Sequence, residues 1–212
     1  SSPSRGLGDV YKRQTVASTI SIASKFQIRF FATGGIGGVH LNAENTNDVS
    51  ADLYALSENS NFVICSGAKS ILDLSKTNEL LETLGITRIG YQTNYMPGFW
   101  YEETENKVDN KFDEIHEISS FLKLNENMGN KKSILIFNKV PLEKALNKND
   151  VEKWINNATI KADRNNISGK ELTPFLIKEI NEQSKNETLN ANVSLIINNA
   201  NLAGKIAKSF YS

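Results

Sequence analysis

Short apolar runs ending in small or polar residues alternate along this chain with longer stretches whose apolar residues recur at helical spacing. Residues 28–32, 62–65, 86–91 and 133–138 are rich in β-branched and aromatic side chains, with little polar alternation. Runs of this kind predict strands buried on both faces. Between them the pattern predicts helices at 15–24, 48–57, 70–84 and 111–124. Asp48 is placed to cap the second, and Gly85 to close the third in the left-handed conformation that suits glycine. Residues 148–164, with Asp150 near the start, 171–183 and 190–209 predict a helical C-terminal third. Residues 93–108 hold Tyr95, Pro97, Phe99, Trp100 and Tyr101 without periodicity and read as an irregular surface loop. Strands alternating with helices predict an α/β fold, with a mostly parallel central sheet covered by helices on both faces in a three-layer α/β/α sandwich.

The first stretch, 1–14, has neither periodicity nor a signal-peptide layout and reads as translated adapter sequence, a non-native scar. A single domain is therefore expected over 15–212. At 212 residues, one good core is the default. Lys+Arg and Asp+Glu are both 24, and no basic stripe runs along the chain, which argues against a nucleic-acid polymer as partner. No apolar run approaches the roughly 20 residues that span a bilayer, so no membrane partner is expected. The lone cysteine, Cys65, has no intramolecular disulfide partner and points to a reducing compartment, with a cytoplasmic location expected.

In such folds ligands gather at the carboxyl ends of strands, and three blocks place polar chemistry there. The first is Phe31-Ala32-Thr33-Gly34-Gly35-Ile36-Gly37-Gly38-Val39-His40. Its glycines permit positive φ angles and direct approach of a ligand to backbone N–H groups. It matches neither the dinucleotide fingerprint, since His40 stands where the third glycine belongs, nor a phosphate loop. A tight turn of no function is the competing reading.

The second block holds Asp48 and Asp52, which share a helical face at i, i+4 and are able to hold a hard cation through oxygen. A helix cap plus a solvent-facing charge explains the same spacing. The third is Cys65-Ser66-Gly67-Ala68-Lys69-Ser70. A lysine between a strand and a helix N-terminus sits where partial burial and the helix dipole both disfavour positive charge. A neutral amine there is a nucleophile toward a sugar aldehyde. A phosphate-binding or snorkelling lysine remains open. Cys65 reads as inert packing, and His116 as a polar helix face.

These blocks, with Leu81-Glu82-Thr83-Leu84-Gly85, Ile167 to Leu176, Leu189 to Val193 and Asn198-Asn199-Ala200, resemble the pseudouridine-5′-phosphate glycosidase family and its indigoidine-cluster members. The resemblance runs in one order from about Thr15 to the C-terminus. It implies reversible cleavage of the C–C glycosidic bond of pseudouridine 5′-phosphate to uracil and ribose 5-phosphate. Lys69 would be the Schiff-base nucleophile, Asp48 the Mn²⁺ ligand, and Ser50, Ala51 and Asp52 a substrate-contacting triplet. Val16, Thr33, His40 and Asn192 fall at pocket positions, and the implied assembly is a homotrimer. The family also carries an upstream glutamate proton donor and a substrate-binding lysine without counterparts in 1–14, so the expectation is an N-terminally truncated enzyme with little or no glycosidase activity by itself. A non-catalytic sugar-phosphate-binding remnant is the alternative.

Overall fold

A computed structural model describes residues 15–212; the adapter-like reading of 1–14 lies outside the described residues. In chain order the elements are α1 (Thr15–Lys25), β1 (Phe30–Ala32), β2 (Val39–His40), a single turn at Ala43–Thr46, α2 (Ala51–Glu58), β3 (Phe62–Cys65), β4 (Leu72–Asp73), α3 (Leu74–Thr83) and β5 (Thr87–Tyr91). They continue with β6 (Asn110–Phe112), α4 (Ile115–Asn127), β7 (Ile134–Phe137), α5 (Lys148–Arg164), α6 (Leu172–Gln183) and α7 (Glu187–Tyr211). Five strands form one sheet in the order β1-β3-β7-β5-β6, and every neighbouring pair is parallel. The predicted α/β architecture holds.

The central strands show why they read as unbroken apolar runs. Phe62 and Ile64 of β3, with Ile134 and Ile136 of β7, join Ile118 and Leu122 of α4 and Leu202 and Ile206 of α7 in one cluster. Their alternate neighbours Val63, Cys65, Leu135 and Phe137 join a second cluster with Val16 and Ile20 of α1, Leu53 and Leu56 of α2 and Leu81 of α3. Successive strand residues point to opposite faces, so helices cover both sides and no position on these strands is left polar.

Several boundaries differ from the sequence reading, each for a tertiary reason. Helix α2 starts at Ala51, and its cap is Ser50, whose Oγ accepts from Asp52 N. Asp48 precedes it beside Val49, which bridges to Val39, so Asp48 neither caps the helix nor shares a helical face with Asp52. Helix α3 starts at Leu74 rather than Ser70, because Asp73 caps it by accepting from Lys76 N. Ser70 instead donates to Gly98 O at 2.6 Å, and β4 pairs antiparallel with β2. Gly85 does take the left-handed conformation, at φ 65°.

The stretch 93–108 is irregular but not superficial: Met96, Phe99, Trp100 and Tyr101 are buried in the main cluster. Residues 110–112 form edge strand β6, and α4 begins only at Ile115, with Glu117 reaching back to the Glu114 N–H. Helix α5 matches its predicted bounds, and α7 extends the predicted C-terminal helix at both ends.

Candidate functional site

The glycine segment after β1 is the hub. On one side Ile36 N donates to Gly67 O and Lys69 N to Ile36 O, which fastens the loop after β3 to it. On the other, His40 N donates to Asp48 O and Ser50 N to Gly38 O. Strand β4 then pairs with β2, Val39 facing Asp73 and His40 facing Leu72. The segments carrying Thr33, His40, Asp48, Ser50 and Lys69 are thus sewn to one backbone.

The glycines serve close packing rather than unusual torsions, since none of Gly34, Gly35, Gly37 and Gly38 has a positive φ. A Cβ on Gly37 would overlap Ser50 Oγ and lie 2.8 Å from Asp52 Oδ2; one on Gly38 would overlap Thr77 Oγ1. On Gly35 it would meet the Phe99 ring at 2.7 Å. Part of the predicted cradle is already occupied: Gly37 N donates to Asp52 and Val39 N to Thr77 Oγ1. Gly67, by contrast, does require glycine. Its φ is 87° and Pro97 O fills the space a side chain would need.

Asp52 is neither solvent-facing nor free for a metal. It is 5% exposed; Oδ1 accepts from Ala17 N and Oδ2 from Gly37 N, both at 2.8 Å. One carboxylate therefore caps the first turn of α1 and pins the glycine segment, which places Val16 beside the site. The Val16 side chain belongs to the apolar core. Asp48 is the accessible carboxylate, 46% exposed, with Oδ2 3.8 Å from His40 Nδ1. Among the described residues no three His, Cys, Asp or Glu side chains gather into a cage. A hard cation that keeps most of its waters and takes one or two carboxylates fits such a position; a cation needing a full set of protein ligands does not.

Lys69 sits in a turn rather than at a helix end, Leu72 N donating to its carbonyl at 3.0 Å. The side chain is half-buried, and its ammonium has no ion pair or hydrogen bond among the described residues. Asn192 on α7 accepts from Trp100 Nε1 at 2.7 Å. Its neighbours Leu195 and Ile196 pack on Gly34, which brings α7 over the hub. Burial pushes the Cys65 thiol up to about 12, in keeping with inert packing. His116 is exposed on α4.

One residue at the hub, Asn199, enters the sequence reading only within the Asn198-Asn199-Ala200 motif, with no role of its own. It is fully buried and bonded to Thr33 O, Ser66 Oγ and Asn138 Nδ2. The cleft of about 430 Å³ bordered by Ser70, Asp73, Tyr101, Glu105, Lys148 and Glu152 lies next to this hub, but neither Lys69 nor Asp48 lines it.

Among the described residues no helix is long and apolar enough to cross a membrane. Comparison with known proteins agrees with the geometry. A curated relative in Petrotoga mobilis, named pseudouridine-5′-phosphate glycosidase, is 46% identical over 196 residues, covering 92% of this chain and 64% of its own length. One of the same name in Escherichia coli K12 is 41% identical over 196 residues, covering 92% and 63%. The chain thus spans a little under two thirds of the length of these relatives.

Among solved structures, the prealnumycin C-glycosynthase AlnA, in complex with ribulose 5-phosphate, superimposes with a TM-score of 0.87 at 32% identity, covering 92% of this chain and 64% of that one. An indigoidine synthase A-like protein from Thermotoga maritima gives 0.82 at 34% identity, covering 91% and 63%. The profile of the family described as indigoidine synthase A like protein matches residues 9–209. With these matches running through the glycine segment, the Asp48 turn and the Lys69 loop, the chain belongs to the indigoidine synthase A-like family.

Proposed function

We propose that this chain carries the lysine chemistry of a pseudouridine-5′-phosphate glycosidase, cleaving or forming the C–C bond between uracil and ribose 5-phosphate. The observation that carries the reading is Lys69, a half-buried amine at the carboxyl end of β3 with no partner among the described residues. The names of the relatives, which cover about 92% of this chain, support the substrate.

The bond to be broken explains the need for an amine. A glycosidase acting on a C–O link protonates a leaving oxygen, and a C–C link offers none. When the Lys69 amine bonds to C1′ of the ribose, the ring oxygen leaves and takes a proton. The nitrogen lone pair then forms C1′=N⁺ as the C1′–C5 bond breaks, and C5 of uracil receives a proton. Water adds to the iminium and releases ribose 5-phosphate with the free amine. Covalent intermediates of this kind split one difficult step into easier ones.

The other residues take positions around that step. Ser50 and Ala51 open α2, where the helix dipole favours a phosphate; Ser50 N is taken by Gly38 O, and Ala51 N has no partner among the described residues. Thr33 and His40 border the sugar, and Asn192 faces it from α7. Asp48, with His40 beside it, would hold a water-rich divalent cation of the Mn²⁺ type. Such a cation supplies positive charge to oxygens of the sugar phosphate. A homotrimer is the proposed assembly, supported by the half-exposed apolar stripe of Leu189, Val193, Ile196 and Ile197 on α7. A reducing compartment such as the cytoplasm suits the buried free thiol of Cys65.

The test is reductive trapping. Incubation with ribose 5-phosphate and sodium borohydride should leave a stable adduct on Lys69, located by peptide mass spectrometry and absent in Lys69→Arg. Binding of ribose 5-phosphate without any trapped adduct would replace the enzyme reading with a sugar-phosphate-binding role.

A further inference from the structure

We propose that Asn199 is the positioning residue for Lys69, a role that rests on the Schiff-base reading above. Asn199 is fully buried on α7. Its Nδ2 donates to Thr33 O at 2.8 Å and to Ser66 Oγ at 3.0 Å, and its Oδ1 accepts from Asn138 Nδ2 at 3.1 Å. Those partners directly follow β1, β3 and β7, three adjacent strands of the sheet. One amide therefore spans the carboxyl ends of the strands that build the site.

Ser66 starts the segment that ends at Lys69, and that segment has little slack. Ser66 N donates to Gly34 O, Gly67 O accepts from Ile36 N, and Lys69 N donates to Ile36 O. Gly67 is held at φ 87° with Pro97 O against its open side. The hold of Asn199 on Ser66 and on the Thr33 carbonyl thus fixes where the Lys69 backbone starts relative to the glycine segment.

The residue type follows from the partners. A carbonyl and a hydroxyl need two donors and the Asn138 amide needs an acceptor, a set that asparagine supplies and aspartate or leucine does not. The buried positions of α7 on either side are Leu195, Leu202, Ala203 and Ile206. A further leucine at 199 would meet the packing demand of that face but leave Thr33 O and Ser66 Oγ unpaired.

The test uses the full chain with Ser66→Ala, which removes the bond with the smallest change in volume, alongside Asn199→Ala. Two measurements are made on each folded variant. The first is the rate of borohydride-trapped adduct formation with ribose 5-phosphate, together with ribose 5-phosphate affinity. The second is the ¹³C spectrum of reductively methylated lysines, with the Lys69 signal assigned through Lys69→Arg.

Misplacing the amine by a fraction of an ångström is expected to slow adduct formation about 10- to 100-fold while affinity changes little. The Lys69 signal alone should shift, and the two substitutions together should cost less than the product of their separate effects. A variant that melts at lower temperature yet traps at the parental rate would show a purely structural asparagine and overturn the proposal. If the parent traps nothing, the Schiff-base reading fails on its own. The lysine spectrum then decides the positioning claim: a Lys69 signal that moves in Ser66→Ala sustains it, and an unmoved one overturns it. Ser66→Ala also covers the case in which Asn199→Ala does not fold.

Discussion

Replacing Asp52 by alanine should destabilise the chain far more than removal of an ordinary surface aspartate. The carboxylate is almost fully buried and accepts two backbone N–H groups, Ala17 N and Gly37 N, each at 2.8 Å. Hydrogen bonds to an ionised acceptor are the stronger kind, and alanine leaves both donors without a replacement. A buried unsatisfied donor costs about 1–3 kcal/mol, so two cost about 2–5 kcal/mol once partial access of water is allowed. Against a typical domain stability of about 5–15 kcal/mol this is a large fraction. For a chain of this size each kcal/mol moves the midpoint by about 2–4 °C, which predicts a fall of about 5–15 °C.

Asp52→Asn keeps one acceptor oxygen but turns an amide toward a backbone donor, so its loss should be intermediate. Thermal and urea unfolding measure the cost, and native-state hydrogen exchange locates it. Ala17 and Gly37 amides should lose protection before the centre of β3 does. A change below about 0.5 kcal/mol, the usual range for surface substitutions, with unaltered exchange at those two amides, would refute the claim that Asp52 joins α1 to the glycine segment.

Three further expectations follow from other contacts. Gly38→Ala should destabilise by about 1–3 kcal/mol, the usual cost of overpacking, because its Cβ would overlap Thr77 Oγ1; Thr77→Ala should recover part of that loss in urea melts of the double variant. The Cys65 thiol rises from an ordinary 9.0 to about 12, by burial against a smaller opposing hydrogen bond, and the Tyr101 phenol rises from 10.0 to about 12, by burial first and the nearby Glu152 and Glu105 charges second. Groups whose folded values are raised contribute stability that is complete below the unfolded value and lost as pH climbs toward the folded one; stability should therefore decline between pH 9 and 12, less steeply in Cys65→Ala, and Cys65 should resist thiol reagents until the chain unfolds. Asp48→Asn should weaken Mn²⁺ binding measured by calorimetry, whereas Asp52→Asn, whose parent carboxylate is engaged by the backbone, should leave it nearly unchanged in folded protein; equal effects would remove Asp48 as the ligand.

Strands buried on both faces were the most legible part of the fold. Residues 62–65 read as a strand with the observed bounds because all four are apolar and a glycine turn follows. Strands β2, β4 and β6 were not legible. Each has only two or three residues and exists through a partner distant in sequence: β2 against β4, and β6 against β5. The starts of α2, α3 and α4 failed for the same reason. Asp48 and Ser50 are both good capping residues locally, and the bridge between Val39 and Val49 decides for Ser50 by holding 48–49 extended. The aromatic loop was misjudged as superficial because it lacks periodicity. Its density of Phe99, Trp100 and Tyr101 was the available signal, since aromatic side chains bury large areas and dominate cores.

At the candidate site, the segments that the sequence singled out are joined through one glycine segment, but the engagement of Asp52 differs from the sequence reading. Asp52 looked like half of a carboxylate pair, and its actual work of binding Ala17 and Gly37 depends on elements 35 and 15 residues away. No local spacing encodes that. Asn199 is different, because a signal was present. The buried positions of α7 run through Ala191, Leu195, Asn199, Leu202 and Ile206, steps of three and four residues that trace one helical face. A lone asparagine in that register is a polar group where the pattern calls for leucine, and a buried amide is retained only when all its bonds are made. Its partners therefore had to be other buried polar atoms. The apolar interiors of the strands supply none, which leaves the strand ends, where Thr33, Ser66 and Asn138 stand. A misfit polar residue on an otherwise apolar helix face thus points to the end of the sheet that α7 covers, the end that carries Lys69.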